Sequence, residues 1–383
     1  MKIIVNALSA GSGGAKSYIR YLLPKLVRRV HESDEHTITL LFYKEQLELL
    51  GGEELPSWCT EVVPSHTSTL SRIAWASLSL PRYLEESGAD VCFTPYQVNW
   101  RAFRHQHTRC KDVLMIRNME PFHFRRYQYS PKTWGRNMLL KKLSDISLKR
   151  AERVIAVSQF AEDYLSHTLG LGPDRMKKVY HGRHPGFSAA GDEHADQSLC
   201  EALGVWRPFI LMCGSLLPYR RCEDLLEAYK RFHERWNVDL VIAGTGTDSQ
   251  YRAQLEALRL RSGVAHRIHF VGHVNRETIQ ALYRRTKVCV FTTEIEACPN
   301  VAIEAMSSGC VNVSSACPPL PEIFAGASVF YKPRDIDDLG RQVERALHDD
   351  ALRRELRNRA LARAEEFSWE RCADETFYAL TSW

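Results

Sequence analysis

The chain has 383 residues, which is enough for two domains that each bury a core of their own. Hydrophobic residues make up 44% and charged residues 25%, a composition that excludes disordered and fibrous classes. The formal net charge is +5 at pH 7, and the chain contains no run of about eighteen uninterrupted apolar residues, which argues against a membrane-spanning helix. The eleven cysteines show no paired spacing, and residues 3–5 are too short an apolar run for a signal peptide. We therefore expect a cytoplasmic protein with reduced thiols.

Short apolar runs alternate with helical stretches along the first half of the chain. We predict strands at 2–6, 37–42, 91–93, 113–116 and 154–157, and helices near 16–30, 70–87, 138–151 and 159–168. This alternation predicts a parallel sheet with helices on both of its faces. Residues 186–206 interrupt the alternation with Gly, Ala, His and acids, and we interpret them as a linker.

Residues 101–150 form a basic segment, with thirteen Lys or Arg against three acids and with aromatic residues between them. Such a surface suits an anionic membrane or a phosphate-bearing acceptor, which predicts peripheral contact with a membrane. A solvated basic face without a partner is the alternative. No nucleic-acid-binding module accompanies the segment, so we do not expect nucleic acid as a partner.

The alternation resumes after the linker. We predict strands at 209–212, 238–243, 268–271 and 288–291, and helices near 222–234, 250–261 and 276–285. The sequence therefore predicts an α/β protein of two Rossmann-like domains, residues 1–185 and 207–366, that face each other across a cleft. Ligands are expected in that cleft, because parallel sheets bind them at the carboxyl ends of their strands.

Glycine turns follow several of the predicted strands. Gly13 and Gly14 lie between the first strand and the first helix, in a spacing that fits neither a Walker A loop nor a dinucleotide fingerprint. Small residues there let a backbone approach a ligand closely, and a tight strand–helix turn would need them equally. Gly244 and Val274 follow two later strands, and we predict that their backbone groups line a base pocket.

A second glycine turn, from Gly214 to Arg221, follows the first strand of the second half and carries Ser215 and Arg220. A cation at Arg220 would neutralise a leaving diphosphate, whose charge grows as a glycosidic bond breaks. Two surface arginines are the alternative interpretation.

Two carboxylates, Glu296 and Glu304, lie eight residues apart on either side of a proline. Because proline breaks regular structure, we expect Glu296 on a loop and a helix that begins near Asn300. The first free N–H groups of such a helix form an anion site. Glu304 would then accept hydrogen bonds from ribose hydroxyls and Glu296 from sugar hydroxyls. The alternative is that Glu304 stabilises the helix end and Glu296 is a solvated loop carboxylate.

Taken together, these motifs resemble the family 4 retaining glycosyltransferases of the two-domain GT-B fold, over nearly the whole chain. The matching segments are Glu296 to Glu304 with Ala305, Met306 and Gly309 (the E-x7-E motif), Leu320–Ile323, Gly214–Pro218, Gly13–Gly14, Ser158–Phe160 and Phe367–Arg371.

The resemblance implies a role for each motif. Residues 1–185 would bind the acceptor, residues 207–366 the nucleotide sugar, and residues 367–383 would form a helix that crosses back to the first domain. Glu304 would hold the donor ribose, Glu296 a sugar hydroxyl, and the amides of Asn300 and Val301 the diphosphate.

The chain departs from the family pattern at four places, one of which is Tyr219, where an arginine often stands just before the lysine of the diphosphate contact. Arg220 replaces the usual lysine of the diphosphate contact, which keeps the charge and changes its reach. Ser215 fills a position that is often basic. Arg117 and Asn118 stand where the family usually has His-Asp, so both are candidates to contact the acceptor or the transferred sugar.

The implied reaction is transfer of a hexose from a nucleoside diphosphate sugar, UDP- or GDP-linked, with retention at the anomeric carbon. The acceptor would be a glycan or lipid-linked glycan in surface polysaccharide assembly, such as lipopolysaccharide. Glu296, Arg220 and Asn118 are the predicted catalytic residues. The chain has no metal-ligand spacing of histidines, and the reaction needs no Asp-x-Asp, so we predict neither a metal nor a cofactor. A nucleotide-sugar epimerase and a non-catalytic sugar-nucleotide-binding protein are the alternatives.

Overall fold

The computed structural model describes residues 1–9, 14–47, 55–63, 68–103 and 109–383. Within these residues the strands form two parallel sheets, and the chain divides into two compact units. The first unit comprises Met1–Pro121, Met138–Gly182 and Ser368–Trp383, and the second comprises Phe122–Asn137 and Arg183–Phe367. The predicted fold class, two Rossmann-like α/β domains, is confirmed. Phe122–Asn137 joins the second unit, which the predicted boundaries did not anticipate.

The sheet of the first unit has seven strands among the described residues, in the order β3-β2-β1-β4-β5-β6-β7. Its strands are β1 (Lys2–Asn6), β2 (Thr37–Tyr43), β3 (Thr60–Val63), β4 (Val91–Thr94), β5 (Lys111–Ile116), β6 (Arg153–Ala156) and β7 (Met176–Lys178). The five central strands were predicted, because strands covered on both faces are continuous apolar runs. The edge strands β3 and β7 were missed, since they are short and carry polar side chains.

The helices of the first half of the chain are mostly those predicted. They are α1 (Gly14–His31), α2 (Lys44–Leu47), α3 (Thr69–Ala74), α4 (Leu80–Glu86), α5 (Glu120–His123), α6 (Pro131–Arg150) and α7 (Gln159–Asp163). The helix predicted at 70–87 is interrupted by a π turn at Trp75–Ser79. The helix predicted from 138 begins at Pro131, a residue suited to a first helical position. The hydroxyl of Ser158 caps α7 by accepting from the Ala161 N–H at 3.2 Å.

The sheet of the second unit has six described strands in the order β10-β9-β8-β11-β12-β13. Its elements are α8 (Glu193–Ala202), β8 (Phe209–Cys213), α9 (Cys222–Trp236), β9 (Asp239–Ala243), α10 (Ser249–Arg261), β10 (Ile268–Gly272), α11 (Arg276–Arg285), β11 (Val288–Phe291), α12 (Asn300–Ser307), β12 (Asn312–Ser315), α13 (Leu320–Phe324), β13 (Val329–Tyr331), α14 (Ile336–His348) and α15 (Asp350–Glu365). The strand order reverses between β8 and β11, which opens a crevice at their carboxyl ends.

The core of the second unit packs α9 and α14 against the sheet, with Trp236 fully buried. A Cβ at Gly340 would lie 2.3 Å from the ring of Phe232, so only glycine lets α14 come this close to α9. The indole N–H of Trp236 donates to the Gly340 carbonyl at 3.2 Å, which satisfies the polar group of a buried aromatic side chain.

The predicted linker at 186–206 is wrong in one respect, because it contains the helix α8. Asp192 caps this helix by accepting from the amides of His194 and Ala195. The helix packs against α11, and Arg284 donates from Nε to the buried carboxylate of Asp196 at 2.6 Å. The polar composition that suggested a linker belongs largely to the exposed face and the caps of this helix.

The last helix of the chain is α16 (Trp369–Thr381), which belongs to the first unit and packs against α1. Trp369 is buried there, and a Cβ at Gly182 would lie 2.4 Å from it. None of the helices in the described ranges is both long and apolar enough to cross a membrane.

Candidate active site

The crevice of the second unit is built by loops that follow β8, β9 and β11. The Gly214 N–H donates to the Ala243 carbonyl at 3.0 Å, and the Gly244 N–H donates to the Gly272 carbonyl at 2.7 Å. A Cβ at Gly244 would lie 1.8 Å from the Gly214 carbonyl oxygen, and the φ angle of Gly244 is +141°. The absence of a side chain at Gly244 therefore allows these two loops to touch, a structural role that stands beside its predicted place in a base pocket.

Arg220 and Glu296 form a buried ion pair in this crevice. Nη1 of Arg220 contacts Oε1 of Glu296, and their side chains are 12% and 10% exposed. Nε of Arg220 has no hydrogen-bond partner among the described residues. Burial raises the pKa of Glu296, and the Arg220 cation opposes that rise. The sequence analysis singled out both residues, and the structure brings them together as an ion pair.

The helix α12 begins at Asn300, as predicted from the proline before it. Pro299 precedes the helix and has no side-chain group that could cap it. The amides of Ala302 and Ile303 donate to the Pro299 carbonyl at 2.9 and 3.3 Å. Asn300 and Val301, whose amides were predicted to meet a diphosphate, are thus the first two residues of α12, and their contact with a diphosphate stays a prediction.

Glu304 lies on the second turn of α12. Burial raises the pKa of Glu304 to about 8, against a hydrogen bond from Tyr283 and the charge of Arg276. Cys213 lies at the end of β8. Burial and the charge of Glu304 raise the pKa of its thiol, and the charge of Arg220 lowers it, so both residues are close to Cys213. The structure therefore brings Glu304 to the same strand end as the Arg220–Glu296 pair.

The other predicted ligand contacts of the second unit lie at the same edge of the sheet. Ser215 is exposed directly after Gly214, and Val274 is half-buried two residues beyond the end of β10. Their contacts with a nucleotide, and that of Gly244, stay predictions.

The predicted contacts of the first unit are only partly described. Gly13 lies outside the described residues, and Gly14 is the first residue of α1. Asn118 follows β5, and its Oδ1 accepts from the Glu120 N–H at 3.1 Å. This bond gives Asn118 a role in starting α5, and its catalytic role stays a prediction. Arg117 lies 5.8 Å from the ring centre of Tyr96 and burial lowers its pKa.

The basic segment is less uniformly exposed than its charge suggests. Arg101 is 7% exposed and donates to Asp112 at 2.7 Å, so it does not contribute to a basic surface. Exposed side chains of α6 include Lys132, Trp134, Arg136, Met138, Leu139, Lys142, Lys149 and Arg150. Among the described residues, no group of three His, Cys, Asp or Glu could hold a metal ion.

Sequence reasoning missed a set of contacts beside the ion pair. Tyr127 donates to Glu294 at 2.7 Å, and Arg334 donates to both carboxylate oxygens of the same residue. No local signal could have identified them, because these three residues are far apart in the sequence.

Two family models match adjacent parts of the chain. The model described as Glycosyltransferase Family 4 matches residues 12–187, and the model described as Glycosyl transferases group 1 matches residues 203–363, so together they cover most of the sequence. The chain belongs to the family 4 glycosyltransferases. Arg220, Glu296 and Glu304 all lie in the group 1 part of this glycosyltransferase.

Curated relatives and solved structures are similar to this family 4 glycosyltransferase. The O-antigen chain mannosyltransferase B of Escherichia coli is 28% identical over 262 residues, which cover 66% of each chain. The serotype-specific mannosyltransferase WbdA of Escherichia coli is 27% identical over 276 residues, which cover 69% of this chain and 32% of that protein. The alignments thus span about two thirds of one relative and about one third of the other. The crystal structure of Anabaena Alr3699/HepE in complex with UDP has the same fold, with a TM-score of 0.76, 19% identity and 100% coverage of both chains.

Proposed function

We propose that the protein transfers a hexose from a nucleoside diphosphate sugar to a glycan or lipid-linked acceptor, with retention at the anomeric carbon, in surface polysaccharide assembly. The observation that carries this proposal is the buried Arg220–Glu296 pair beside the start of α12. Both relatives from Escherichia coli are named mannosyltransferases, which favours a mannosyl donor. The Anabaena structure contains UDP, so uridine diphosphate sugars belong in the same test.

In the proposed reaction the diphosphate lies between Arg220 and the first amides of α12. Negative charge grows on the diphosphate as the glycosidic bond breaks, and a fixed cation in a water-poor crevice stabilises that charge more strongly than it would in water. The helix N-terminus adds to the same effect. Glu296 fixes the guanidinium of Arg220 and accepts a sugar hydroxyl. The acceptor attacks the face that the diphosphate leaves, and the departing phosphate oxygen takes the acceptor's proton.

Binding of the donor is tested by thermal shift with UDP, GDP, ADP and dTDP and their sugars, each with EDTA. A ligand that binds only the folded state stabilises it by about 2.7 kcal/mol at a hundredfold excess over its dissociation constant. We expect one diphosphate to raise the melting temperature with EDTA present, since the proposed site uses amides and a guanidinium in place of a metal. No shift with any of the four would refute the proposed donor site.

Turnover is tested with Glu296→Gln against Glu365→Gln, which removes an exposed carboxylate of the same unit. The first variant should retain diphosphate binding and lose transfer by about tenfold or more, equivalent to about 1.4 kcal/mol of barrier. The second should transfer sugar at the wild-type rate. Donor conversion without any acceptor would favour the epimerase alternative, and binding without turnover would favour a non-catalytic binding protein.

The exposed side chains of α6 support peripheral contact with an anionic membrane as part of this function. Basic residues beside Met138 and Leu139 combine charge attraction with apolar insertion. Wild-type protein should float with vesicles that contain anionic phospholipid and not with neutral vesicles. The variant Lys132→Glu/Lys142→Glu should lose this association, while Lys230→Glu, an exposed change on α9, should keep it.

A further inference from the structure

The segment Phe122–Asn137 belongs to the second unit, although in sequence it follows the fifth strand of the first sheet. Within this segment, the hydroxyl of Tyr127 donates to Oε2 of Glu294 at 2.7 Å. Its ring lies 6.5 Å from that of Tyr219, in an edge-on arrangement. Tyr219 directly precedes Arg220, and Glu294 lies two residues before Glu296. One side chain therefore contacts both loops that carry the buried ion pair.

Glu294 is a fixed point in this arrangement. Arg334 donates to its two carboxylate oxygens at 2.5 and 2.8 Å, and the side chain of Glu294 is 9% exposed. Burial alone would raise the pKa of Glu294, but the hydrogen bonds from Arg334 and Tyr127 outweigh burial and lower it. Arg334 has a φ angle of +66°, a left-handed conformation that costs a non-glycine residue about 1 kcal/mol or more.

The two loops are also joined through their backbones. The Glu294 N–H donates to the Tyr219 carbonyl at 2.9 Å, and the Thr292 hydroxyl donates to the Arg220 carbonyl at 2.6 Å. The segment itself is attached further along, where the Ser130 N–H donates to Asp248 at 3.0 Å. The two loops are therefore already joined by hydrogen bonds, and Tyr127 adds a side-chain contact to both from a segment outside the sheet.

We propose that Tyr127 is a positioning residue for the donor site, since its hydroxyl on Glu294 and its ring against Tyr219 hold Glu296 and Arg220 at the spacing that stabilises the leaving diphosphate. This inference rests on the proposed function. Tyr127 acts through Glu294 and Tyr219. It therefore affects the arrangement of the Arg220–Glu296 pair, and through that arrangement the rate of turnover. Under this proposal, segment 122–137 positions the donor site through Tyr127, independently of its positive charge.

The experiment compares Tyr127→Phe with Tyr164→Phe. Both substitutions remove only a hydroxyl that donates to a carboxylate, and Tyr164 makes its bond to Asp145 at 3.0 Å in the first unit. The kcat and KM for transfer, the Kd of the diphosphate by calorimetry, and backbone hydrogen exchange are measured for both variants and the wild type. We expect Tyr127→Phe to lower kcat about tenfold and to change the diphosphate Kd less than about twofold, because a small displacement of the ion pair weakens transition-state contacts first. Tyr164→Phe should leave kcat unchanged.

Hydrogen exchange separates this inference from the proposed function, because it needs no substrate. Faster exchange at 214–221 and 292–299 in Tyr127→Phe, and not in Tyr164→Phe, would support the positioning role even for a wild type that transfers no sugar. Unchanged exchange in these loops would overturn the inference. A wild-type kcat in Tyr127→Phe would overturn it as well, and so would equal losses of kcat in the two variants, which would show a general effect of weakened packing.

Discussion

Replacing Glu304 by glutamine tests the burial of this carboxyl directly. Burial raises the pKa of Glu304 to about 8, and the hydrogen bond from Tyr283 and the charge of Arg276 only partly oppose it. In an unfolded chain a glutamate has a pKa of about 4.3. Between these two values the folded state keeps a proton that the unfolded state has lost. The free energy of unfolding should therefore fall as the pH rises, by about 1.4 kcal/mol per pH unit from this group.

The size of the effect follows from the pH interval. The stabilisation from the protonated carboxyl is fully present below about pH 4.3 and is lost as the pH rises towards 8, which amounts to about 4 kcal/mol between pH 5 and pH 8. The amide that replaces the carboxyl in Glu304→Gln has no proton to lose, so the advantage of this variant over the wild type should grow across the interval and level off above it. For a unit of this size, about 4 kcal/mol corresponds to a melting temperature difference of about 10 °C.

The assay is urea denaturation of wild type, Glu304→Gln and Glu365→Gln at each pH from 5 to 9, without nucleotide. Glu365 is exposed, so its variant should follow the wild type at every pH. The difference in unfolding free energy between Glu304→Gln and the wild type should increase with pH up to about 8. Parallel pH profiles for these two proteins would show that Glu304 titrates normally and would refute the reasoning.

Three further predictions concern the same crevice. Binding of a nucleoside diphosphate near pH 7 should release close to one proton, because its ribose hydroxyls would favour the ionised form of Glu304. Calorimetry in buffers of different ionisation enthalpy measures this release. The variant Glu304→Gln should release no proton. Gly244→Ala should destabilise the fold by about 3 kcal/mol, because its Cβ would meet the Gly214 carbonyl at 1.8 Å. Gly204→Ala, with a φ of +76° and open space around it, should cost only about 1 kcal/mol in the same denaturation assay, and equal costs would contradict the steric argument. Arg220→Ala should lower kcat by about a hundredfold or more in a transfer assay, because it removes the cation of the leaving-group site, and a near-normal kcat would exclude that role.

The sequence could predict those parts of the fold whose signal is local. Parallel strands buried on both faces are unbroken apolar runs, so β1 and β8 were evident, whereas the polar edge strand β7 was not. The helix α8 was missed because its exposed face and its cap are rich in the polar residues that also mark linkers. Secondary-structure propensity and hydrophobic periodicity describe a segment in isolation. Strand β7 and helix α8 were both missed because contacts with neighbouring elements decide their structure.

The same distinction applies to the candidate site. Glu296, Glu304 and the start of α12 form one continuous motif around a proline, so their arrangement could be inferred from residue spacing. Tyr127 and Arg334 meet Glu294 only after the chain has folded, and the spacing of these residues in the sequence does not predict their contacts. The missing side chain of Gly244 also accommodates the Gly214 carbonyl, a need that residue spacing does not show, and its predicted contact with a base stays a prediction.

The two acids of the motif differ in their electrostatic surroundings, and this difference has a consequence for the proposed reaction. Glu296 is buried against a cation, whereas burial gives Glu304 a pKa of about 8, so near neutral pH the first is paired and the second mostly carries a proton. A protonated Glu304 does not repel a diphosphate that approaches the start of α12. In the proposed site ribose hydroxyls would donate to Glu304, which would favour its ionised form and release its proton. Under this proposal the site admits an anion before Glu304 ionises to hold the ribose, so proton release on binding tests the role of Glu304 more sharply than loss of affinity does.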